Sequence, residues 1–397
     1  NFCPGTGEVY SLIPDSDAHD VEIAVDAAQK AFKSWSTIPK QERSDILINL
    51  ANEIKDHSDE LVIAESRDNG KPEWLARAVD IPRAPENFNF FATAILHFDS
   101  EIHEMDGRAI NYTLRQPIGV AACISPWNLP LYLLTWKVAP ALAAGNTVVA
   151  KPSEITPMTA YLFSKICQKA GLPKGVLNIV HGYGNKVGDA LCRHPDVPII
   201  SFTGGTSTGE KIASASAPMF KKMSLELGGK NPNIVFEDAD LDNAVNMATK
   251  AAFSNQGQIC LCGSRLFVQE SIYNDFRSAI IEETKTLKVG DPKDEKSNLG
   301  AVVSKEHMDK ILGCIEQAKE EGGEILTGGN RLLLNGDLKD GYYIEPTIID
   351  GLSVDCKTNR EEIFGPVVSI IPFKTEEEVI EMANSTKYGL SASIFTR

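Results

Sequence analysis

Residues 119–126 read GVAACISP, a run of apolar and small residues that ends at a proline. Two later stretches repeat the pattern: NTVVAKPS at 146–153 and PIISFTGG at 198–205. Amphipathic helical spacing separates these runs. Continuous apolar strands that alternate with helices are typical of a parallel sheet covered on both faces. The sequence therefore predicts an α/β fold built around a parallel sheet.

The same alternation returns in the second half of the chain. Two strand-like runs, at 231–238 and 264–271, flank a stretch of helical spacing at 240–254. We therefore expect two α/β units in series, joined near LELGGKNP. Further helices are predicted from apolar spacing at 20–36, 41–66 and 271–287. Polar, β-capable residues at 99–117 interrupt the pattern and predict a protruding hairpin.

Composition excludes several classes of protein. The chain has 397 residues, of which 43% are apolar, which is enough for two or three compact domains. Its formal charge of −15 argues against a nucleic-acid partner, because such proteins carry basic patches. No run of 18 apolar residues predicts a membrane span. The chain starts at Asn1 and stops at Arg397, so we read it as a fragment. The expected compartment is the cytoplasm.

Eight cysteines are spread along the chain, and only Cys260 and Cys262 are close in sequence. In a long, charged chain without a secretory signal, reduced thiols are expected. A structural zinc site needs a second close pair or closely spaced histidines, and neither occurs. The sequence therefore predicts no metal and no disulfide, and the pair is left as a possible nucleophile and its neighbour.

Two glycine-rich segments could bind a nucleotide phosphate. Gly182, Gly184 and Gly188 differ by one residue from a dinucleotide fingerprint, and an ordinary turn fits them equally well. In the second segment, a strand leads into Gly204 and Gly205, and a helix follows. Free N–H groups at that helix start would favour a pyrophosphate, although a plain capped helix is as good an interpretation.

The cap of that helix would come from Thr206 or Ser207, and Gly209 lies within its first turn.

Three further stretches place polar residues beside predicted strands. Trp127 and Asn128 lie between two prolines, and Lys151 and Glu154 end another strand, at the edge where open α/β sheets bind ligands. Glu226 stands between apolar residues before a double glycine, so its carboxyl should have a partner or a raised pKa. Taken singly, these residues also fit a turn, a solvated strand end and a buried ion pair.

Taken together, six motifs resemble those of the aldehyde dehydrogenase superfamily, in the same order and across essentially the whole chain. They are PWNLP at 126–130, KPSE at 151–154, FTGGTSTG at 202–209, LELGGKNP at 225–232, NQGQICLCGSR at 255–265 and EEIFGPV at 361–367. The stretches around PWNLP and NQGQIC are most similar to members that act on muconic semialdehydes. These members are also described as retinal dehydrogenases.

The resemblance implies three domains. A Rossmann-like NAD-binding domain would comprise residues 1–98 and 118–228, and a second α/β domain, the catalytic one, residues 229–397. The hairpin at 99–117 would mediate assembly into a homodimer or homotetramer. The family's glycine-rich C-terminal segment has no counterpart in this chain, which leaves the activity of such a fragment open.

The resemblance also implies catalytic roles. Cys260 matches the catalytic thiol, so Cys262 would be an inert neighbour. Thiolate attack on an aldehyde creates an oxyanion, which the Asn128 amide and the Cys260 backbone N–H would stabilise. Glu226 matches the general base that activates water to hydrolyse the resulting thioester.

Cofactor contacts are implied in the same way, and the implied cofactor is NAD. Lys151 and Glu154 would bind the adenosine ribose, where a carboxylate disfavours the 2′-phosphate of NADP. Glu362 would bind the nicotinamide ribose. Many relatives have Ser where this chain has Gly205, which removes one phosphate contact. The remaining contacts would come from Trp127, Gly204, Gly205, Gly209, Leu227 and Phe364.

The predicted substrate is a small aldehyde. The tunnel would be lined by Leu129, Leu133, Trp136, Ile259 and Leu261. Arg83 falls at a tunnel position where relatives that oxidise simple aldehydes have an apolar residue. A mostly apolar tunnel with one guanidinium suits an unsaturated semialdehyde with a distal carboxylate, such as 2-aminomuconate 6-semialdehyde. Alternatively, Arg83 is a solvated surface residue without a role in binding. The substrate would then be retinal or another neutral aldehyde.

Two other classes of protein remain open at this point. A non-catalytic relative would bind NAD without turnover, although the intact set of Cys260, Glu226 and Asn128 argues against it. A CoA-acylating relative would pass the thioester to CoA, but those relatives generally lack the glutamate that Glu226 matches.

Overall fold

The computed structural model describes all residues, Asn1–Arg397. They form two compact units. The five-stranded unit comprises Leu12–Ala64 and Arg77–Glu226, and the six-stranded unit comprises Asn1–Ser11, Glu65–Ala76 and Leu227–Arg397.

Helices and strands alternate along most of the chain, as the sequence predicts. The helices are α1 Ala18–Trp35, α2 Lys40–Asp56, α3 Ser58–Asn69, α4 Glu73–Leu75, α5 Ile81–Ala94, α6 Pro130–Ala143, α7 Met158–Lys169, α8 Asp189–Arg193, α9 Thr206–Ser216, α10 Leu241–Phe253, α11 Tyr273–Lys285, α12 Lys305–Glu320, α13 Lys357–Arg360 and α14 Glu376–Ala383. The strands are β1 Ile102–Met105, β2 Ala109–Tyr112, β3 Val120–Ile124, β4 Thr147–Lys151, β5 Leu177–Ile179, β6 Ile199–Thr203, β7 Lys222–Glu226, β8 Pro232–Val235, β9 Arg265–Gln269, β10 Glu324–Thr327, β11 Thr347–Asp350, β12 Val367–Phe373 and β13 Ser393–Phe395.

The five-stranded unit is built on an all-parallel sheet with the strand order β5-β4-β3-β6-β7. Every residue of β3 and β4 is buried, because helices cover both faces of a parallel sheet. The strand order reverses between β3 and β6. At such a switch point the connections leave in opposite directions, so a crevice opens beyond the carboxyl ends of the strands.

A two-stranded hairpin belongs to the same unit. Strands β1 and β2 pair in antiparallel register, Ile102 opposite Tyr112 and Met105 opposite Ala109. Asp106 and Gly107 have φ of 46° and 69°, the left-handed values that a tight hairpin turn requires. All eight strand residues are exposed. The hairpin lies within the predicted segment 99–117.

The six-stranded unit contains a mixed sheet with the order β10-β11-β12-β9-β8-β13. Only β10 runs antiparallel, at one edge. Helices α10 and α11 pack on one face around Phe253 and Phe276, which are fully buried. Helix α12 packs on a separate cluster that includes Ile311 and Ile363. The α/β architecture predicted from the sequence, including the second α/β unit, is confirmed.

Some boundaries differ from the expectation. The predicted helix at 41–66 is two helices that meet at His57. Strand β7 has no continuous apolar run, because most of its residues are exposed, and it was not predicted. Residues 1–11 and 65–76 belong to the six-stranded unit, whereas the prediction placed them in the 1–98 segment. The roles assigned to the three predicted domains stay predictions.

Candidate active site

Three predicted motifs of the five-stranded unit lie at one edge of its sheet. The PWNLP turn follows β3, Lys151 ends β4, and Glu226 ends β7. Parallel strands bring these carboxyl ends side by side: the Ser125 N–H donates to the Lys151 carbonyl at 3.1 Å, and the Gly204 N–H to the Glu226 carbonyl at 3.0 Å. The register of the sheet therefore gathers residues that are up to 100 positions apart in the chain.

A cavity of about 560 Å³ opens at this edge. Its walls include Trp127, Lys151, Glu154, Gly204 and Gly205. A side chain at position 204 would come within 2.4 Å of the Phe202 ring, so glycine is required there, whereas position 205 has open space. The volume suits a ligand larger than a simple metabolite.

The start of α9 forms part of the same wall. The expectation that Thr206 or Ser207 caps this helix is wrong: Gly205 is the N-cap residue, and no side chain accepts from the first N–H groups. These N–H groups and the positive end of the helix dipole suit a phosphate. Gly209 is buried within α9. The cavity, the required glycine and the uncapped helix start together fit a dinucleotide.

Lys151 and Glu154 form an ion pair at this edge. The Lys151 Nζ donates to the Glu154 Oε2 at 2.6 Å, and the Lys151 side chain is only 4% exposed. Nearby, burial and the positive charge of Lys151 lower the pKa of His181. Because Glu154 is half-buried in the wall of the cavity, its second oxygen can still accept from a ribose hydroxyl.

Asn128 is buried between the end of β3 and the start of α6. The tunnel residues predicted after it differ in exposure: Leu129 is buried, Leu133 is half-buried and Trp136 is 46% exposed. The Leu133 N–H donates to the Leu129 carbonyl at 2.9 Å, so the first turn of α6 is helical. Trp136 packs edge-on against Phe91 of α5, with ring centroids 6.2 Å apart.

Arg83 lies in the first turn of α5, and its side chain is 54% exposed. It pairs with Glu86 at 3.1 Å, and its guanidinium stands over the Tyr132 ring at 5.5 Å from the centroid. Tyr132 in turn contacts Trp136. The structure thus places Arg83 and the aromatic residues of α6 on one surface. Glu86 supplies the compensating anion that an arginine near a helix start needs.

Glu226 is exposed at the end of the edge strand β7, although its neighbours in sequence are apolar. Its notable neighbour is Lys137, which the sequence reasoning did not single out. Lys137 is buried in α6, where its Nζ donates to the Thr203 Oγ1 at 2.6 Å. Burial lowers the pKa of Lys137 to about 8, and the charges of Cys123 and Glu226 oppose this.

In the six-stranded unit, the loop between α10 and β9 carries Cys260. Three consecutive residues ahead of it are left-handed, with φ of 52° at Asn255, 55° at Gln256 and 69° at Gly257. Non-glycine residues adopt this conformation only when their surroundings impose it. A side chain at position 257 would overlap the Gly365 carbonyl at 2.0 Å, so the loop fits closely against the EEIFGPV segment.

Buried amide side chains hold this unfavourable turn. The Gln256 Nε2 donates to the Ala301 carbonyl at 2.9 Å. The Gln258 Oε1 accepts from the Val303 N–H at 3.0 Å. Both glutamines are almost fully buried, so their hydrogen bonds are not in competition with water. The NQGQ part of the motif is therefore a rigid support for the residues that follow it.

The two cysteines of the loop have different environments. Cys262 is buried, and burial raises its pKa to about 12, which keeps it a thiol. Cys260 is half-buried, and both cysteines line a small cavity that also includes Ile259, Glu362 and Phe364. Because only an accessible thiolate can attack a substrate, Cys260 is the better nucleophile of the pair. Leu261, between them, is 56% exposed.

Glu362 and Phe364 form the opposite wall of that cavity. The Gly229 N–H donates to the Glu362 Oε1 at 3.0 Å, and burial raises the pKa of Glu362. Phe364 is left-handed, with φ of 63°, and its carbonyl accepts from the His307 imidazole at 2.7 Å. Leu227 is half-buried at the start of this unit. The structure therefore brings four predicted residues of the six-stranded unit together: Ile259, Cys260, Glu362 and Phe364.

Other kinds of site find no support in the structure. No group of three or more His, Cys, Asp or Glu side chains could hold a metal ion. All eight cysteines are outside disulfide bonds. No helix combines the length and apolar character needed to span a bilayer.

Comparison with known proteins decides the family. The aldehyde dehydrogenase family model matches residues 1–397. The chain belongs to the aldehyde dehydrogenase family. The resemblance predicted from the six motifs is thus confirmed, as is the predicted class, an aldehyde-oxidising oxidoreductase.

Individual relatives refine this result. The 2-aminomuconic semialdehyde dehydrogenase of Bos taurus is 50% identical over 399 residues, covering 100% of this chain and 82% of its own. The 2-hydroxymuconic semialdehyde dehydrogenase of Pseudomonas sp. (strain CF600) is 44% identical, with coverages of 99% and 82%. An aldehyde dehydrogenase from Bacillus cereus, solved as an NAD⁺ complex, is 39% identical with a TM-score of 0.97, and the match covers 100% of this chain and 80% of that one. The predicted similarity to the muconic semialdehyde subgroup is confirmed.

Proposed function

We propose that this aldehyde dehydrogenase oxidises a carboxylated semialdehyde to a dicarboxylic acid with NAD, using Cys260 as its nucleophile. The observation that carries the proposal is the contrast within the CLC sequence. Both cysteines line the small cavity that Glu362 and Phe364 share, but Cys262 is buried with a raised pKa, whereas Cys260 is half-buried. A turn as constrained as NQGQ presents one thiol and withholds the other.

The reaction has two halves. In the first, the Cys260 thiolate adds to the aldehyde carbon, and a carbon–sulfur bond forms as the carbonyl oxygen becomes an oxyanion. The Asn128 amide and the Cys260 backbone N–H donate to that oxyanion; losing one such donor typically costs about 100- to 1000-fold in rate. As the oxyanion re-forms the carbonyl, the carbon–hydrogen bond breaks and a thioester remains. A bound NAD would supply the acceptor for that hydride.

In the second half, water cleaves the thioester. Glu226 takes a proton from the attacking water, the carbon–sulfur bond breaks, and the acid leaves while Cys260 returns to the thiolate. An exposed carboxylate at the end of an edge strand can reorient during the cycle, as a group that acts only in this half must.

Two groups of residues would hold NAD. Trp127, Gly204 and the uncapped start of α9 suit the pyrophosphate side, and Lys151 and Glu154 suit the adenosine ribose. Glu154 favours NAD over NADP, because a 2′-phosphate beside a carboxylate is repelled. Glu362 would bind the second ribose through the oxygen that Gly229 leaves free.

For the substrate, we propose 2-aminomuconate 6-semialdehyde, an intermediate of tryptophan catabolism, with Arg83 as the anchor of its carboxylate. Arg83 is exposed and stands on the surface that also carries Tyr132 and Trp136. Its partner Glu86 is equally exposed, and such a pair is weak enough to exchange for a substrate carboxylate. The relatives named 2-aminomuconic and 2-hydroxymuconic semialdehyde dehydrogenase support the choice.

Substituting each cysteine in turn tests the nucleophile. Cys260→Ser should abolish NADH formation from an aldehyde and leave NAD affinity nearly unchanged, because a hydroxyl is a far weaker nucleophile. Cys262→Ser is the matched control and should stay within about threefold of the wild type. A dead Cys262→Ser with an active Cys260→Ser would overturn the assignment. Adding CoA should not raise the rate; a CoA-dependent product would indicate an acylating enzyme.

Removing the guanidinium tests the substrate. Arg83→Ala should lower kcat/KM for the carboxylated semialdehyde. The loss of transition-state stabilisation should be about 2–4 kcal/mol, the cost of a lost charge-assisted pair. It should barely affect hexanal. Arg77→Ala is a matched control, because Arg77 is a similarly exposed arginine paired with Asp59. Equal losses on both aldehydes would show that Arg83 is structural, and a neutral substrate such as retinal would then be favoured.

We also propose that the hairpin mediates self-association. Ile102 and Ile110 are 70% and 68% exposed on its strands, more apolar surface than an isolated hairpin leaves in water without a partner. Replacing both with Lys should shift the protein to a smaller species in sedimentation experiments. An unchanged sedimentation coefficient would remove the hairpin from the interface.

A further inference from the structure

Asn231, in the GGKNP sequence just before β8, contacts the loop at 255–262 through a single amide group. We call this segment the nucleophile loop, after the proposed role of Cys260. Its Nδ2 donates one hydrogen bond to the Cys260 carbonyl at 2.7 Å and another to the Cys262 carbonyl at 2.9 Å. Its Oδ1 accepts from the Ser391 N–H at 3.1 Å. The side chain is 3% exposed, so water does not compete for these bonds.

These bonds define the shape of the loop. The two amide hydrogens hold carbonyls two residues apart, and the Cys262 N–H donates to the Ile259 carbonyl at 3.0 Å. Leu261, between the two held carbonyls, is thereby kept on the outside of the turn, where it is 56% exposed. The Ile259 and Cys260 carbonyls belong to the peptide planes before and after Cys260. Because both carbonyls are held, the direction in which the Cys260 Cβ leaves the backbone is also fixed.

The surroundings leave little freedom for another arrangement. A side chain at Gly229 would come within 2.8 Å of both the Asn231 Oδ1 and the Cys260 carbonyl oxygen, so only glycine admits this close packing. Upstream, the left-handed residues 255–257 are strained and would relax if the loop were released. A hydrogen-bond clamp downstream of the strained turn opposes that relaxation.

We propose that Asn231 is a positioning residue that sets the orientation of the Cys260 thiol for attack. The proposal rests on Cys260 being the nucleophile. Asn231 contacts neither substrate nor cofactor in this role and acts only through the two loop carbonyls. Since displacing a reacting group by about 1 Å can cost on the order of 100-fold, its loss should affect kcat.

The test compares two buried asparagines of the same segment. Asn233 in β8 is 1% exposed and accepts from the Ser393 Oγ at 2.8 Å, but none of its hydrogen bonds reaches Cys260. In the full protein, Asn231→Ala should lower kcat for 2-hydroxymuconic semialdehyde by about 10- to 100-fold. The dissociation constant for NAD should stay within about twofold, and Asn233→Ala should keep kcat within about threefold.

A second readout separates orientation from general damage. Alkylation of Cys260 by iodoacetamide needs a reactive thiol but no defined approach, so Asn231→Ala should change its rate by less than about threefold. If Asn231→Ala does not fold, Asn231→Leu replaces it: that variant has a similar volume and introduces no charge, but it lacks both donors. It should show the same loss of kcat.

Three results would overturn the proposal: a kcat for the Asn231 variant equal to that of Asn233→Ala, an alkylation rate that falls in parallel with kcat, or an Asn231→Leu variant with full activity. Failure of the proposed function is recognised separately, because Cys260→Ser would then retain activity whatever the Asn231 variants do.

Discussion

Gly257→Ala tests the close fit of the nucleophile loop directly. Gly257 has φ of 69°, a region that costs an L-residue about 1–2 kcal/mol. The added Cβ would also lie 2.0 Å from the Gly365 carbonyl oxygen and 2.8 Å from the Pro366 nitrogen. These are backbone atoms, so the overlap is relieved only by moving the EEIFGPV segment, and overpacking of this kind costs about 1–3 kcal/mol. Together we expect a destabilisation of about 2–5 kcal/mol.

The assay is thermal unfolding followed by circular dichroism. For a unit of this size, 1 kcal/mol shifts Tm by about 2–4 °C, so Gly257→Ala should lower Tm by about 4 °C or more. Gly313→Ala is the control: Gly313 is exposed within α12 and a Cβ there meets open space. It should raise Tm by about 1–4 °C, because alanine is the better helix former. An unchanged Tm for Gly257→Ala would refute the argument that the loop and EEIFGPV are in strict contact.

Two further predictions concern the five-stranded unit. Glu226→Gln should slow thioester hydrolysis more than the first hydride transfer, so that a pre-steady-state burst of NADH appears; equal slowing of both phases would contradict the general-base role. Lys137→Met tests the buried ammonium. The folded-state pKa of about 8 lies below the ordinary 10.5, so the folded wild type loses its proton first and gains stability as pH rises from 8 to 10.5. The unfolding free energy of the wild type should therefore rise relative to that of Lys137→Met by about 3 kcal/mol across this window; parallel pH curves would rule out the shift.

The sequence predicts the central strands well for a physical reason. Strands β3, β4 and β6 are largely buried on both faces, so their apolar runs are continuous and easily recognised. Strand β7 lies at the edge of the sheet with exposed residues, and its alternation carries no comparable signal. The exposure of Glu226 was missed for the same reason. Its apolar neighbours in sequence suggested burial, whereas the edge position leaves the carboxyl exposed.

The conformation of the nucleophile loop is a different case. Nothing in the composition of NQGQIC predicts three consecutive left-handed residues, since only Gly257 favours that conformation by itself. The strain is imposed by groups that are distant in sequence, such as the carbonyls of Ala301 and Gly365. The role of Asn231 was missed for a similar reason, because an asparagine before a proline is an ordinary turn residue in sequence. Its two contacts with the loop, 29 and 31 positions away, exist only in the fold.

Two of the buried lysines, Lys137 and Lys230, have a lowered pKa and interact with a carboxylate of the proposed site. Burial lowers the pKa of Lys137 to about 8, and the charge of Glu226 opposes that shift; burial likewise lowers the pKa of Lys230 to about 8, and Glu362 is among the groups that oppose it. Burying an ammonium costs stability, so hydrophobic residues of similar volume would give a more stable fold at either position. Lysine is useful there only if its charge acts on something nearby. Burial raises the pKa of Glu362, and the positive charges of Lys310 and Lys230 oppose that rise. The proposed contact of Glu362 with ribose hydroxyls needs an ionised carboxylate, and the buried ammonium of Lys230 acts in that direction.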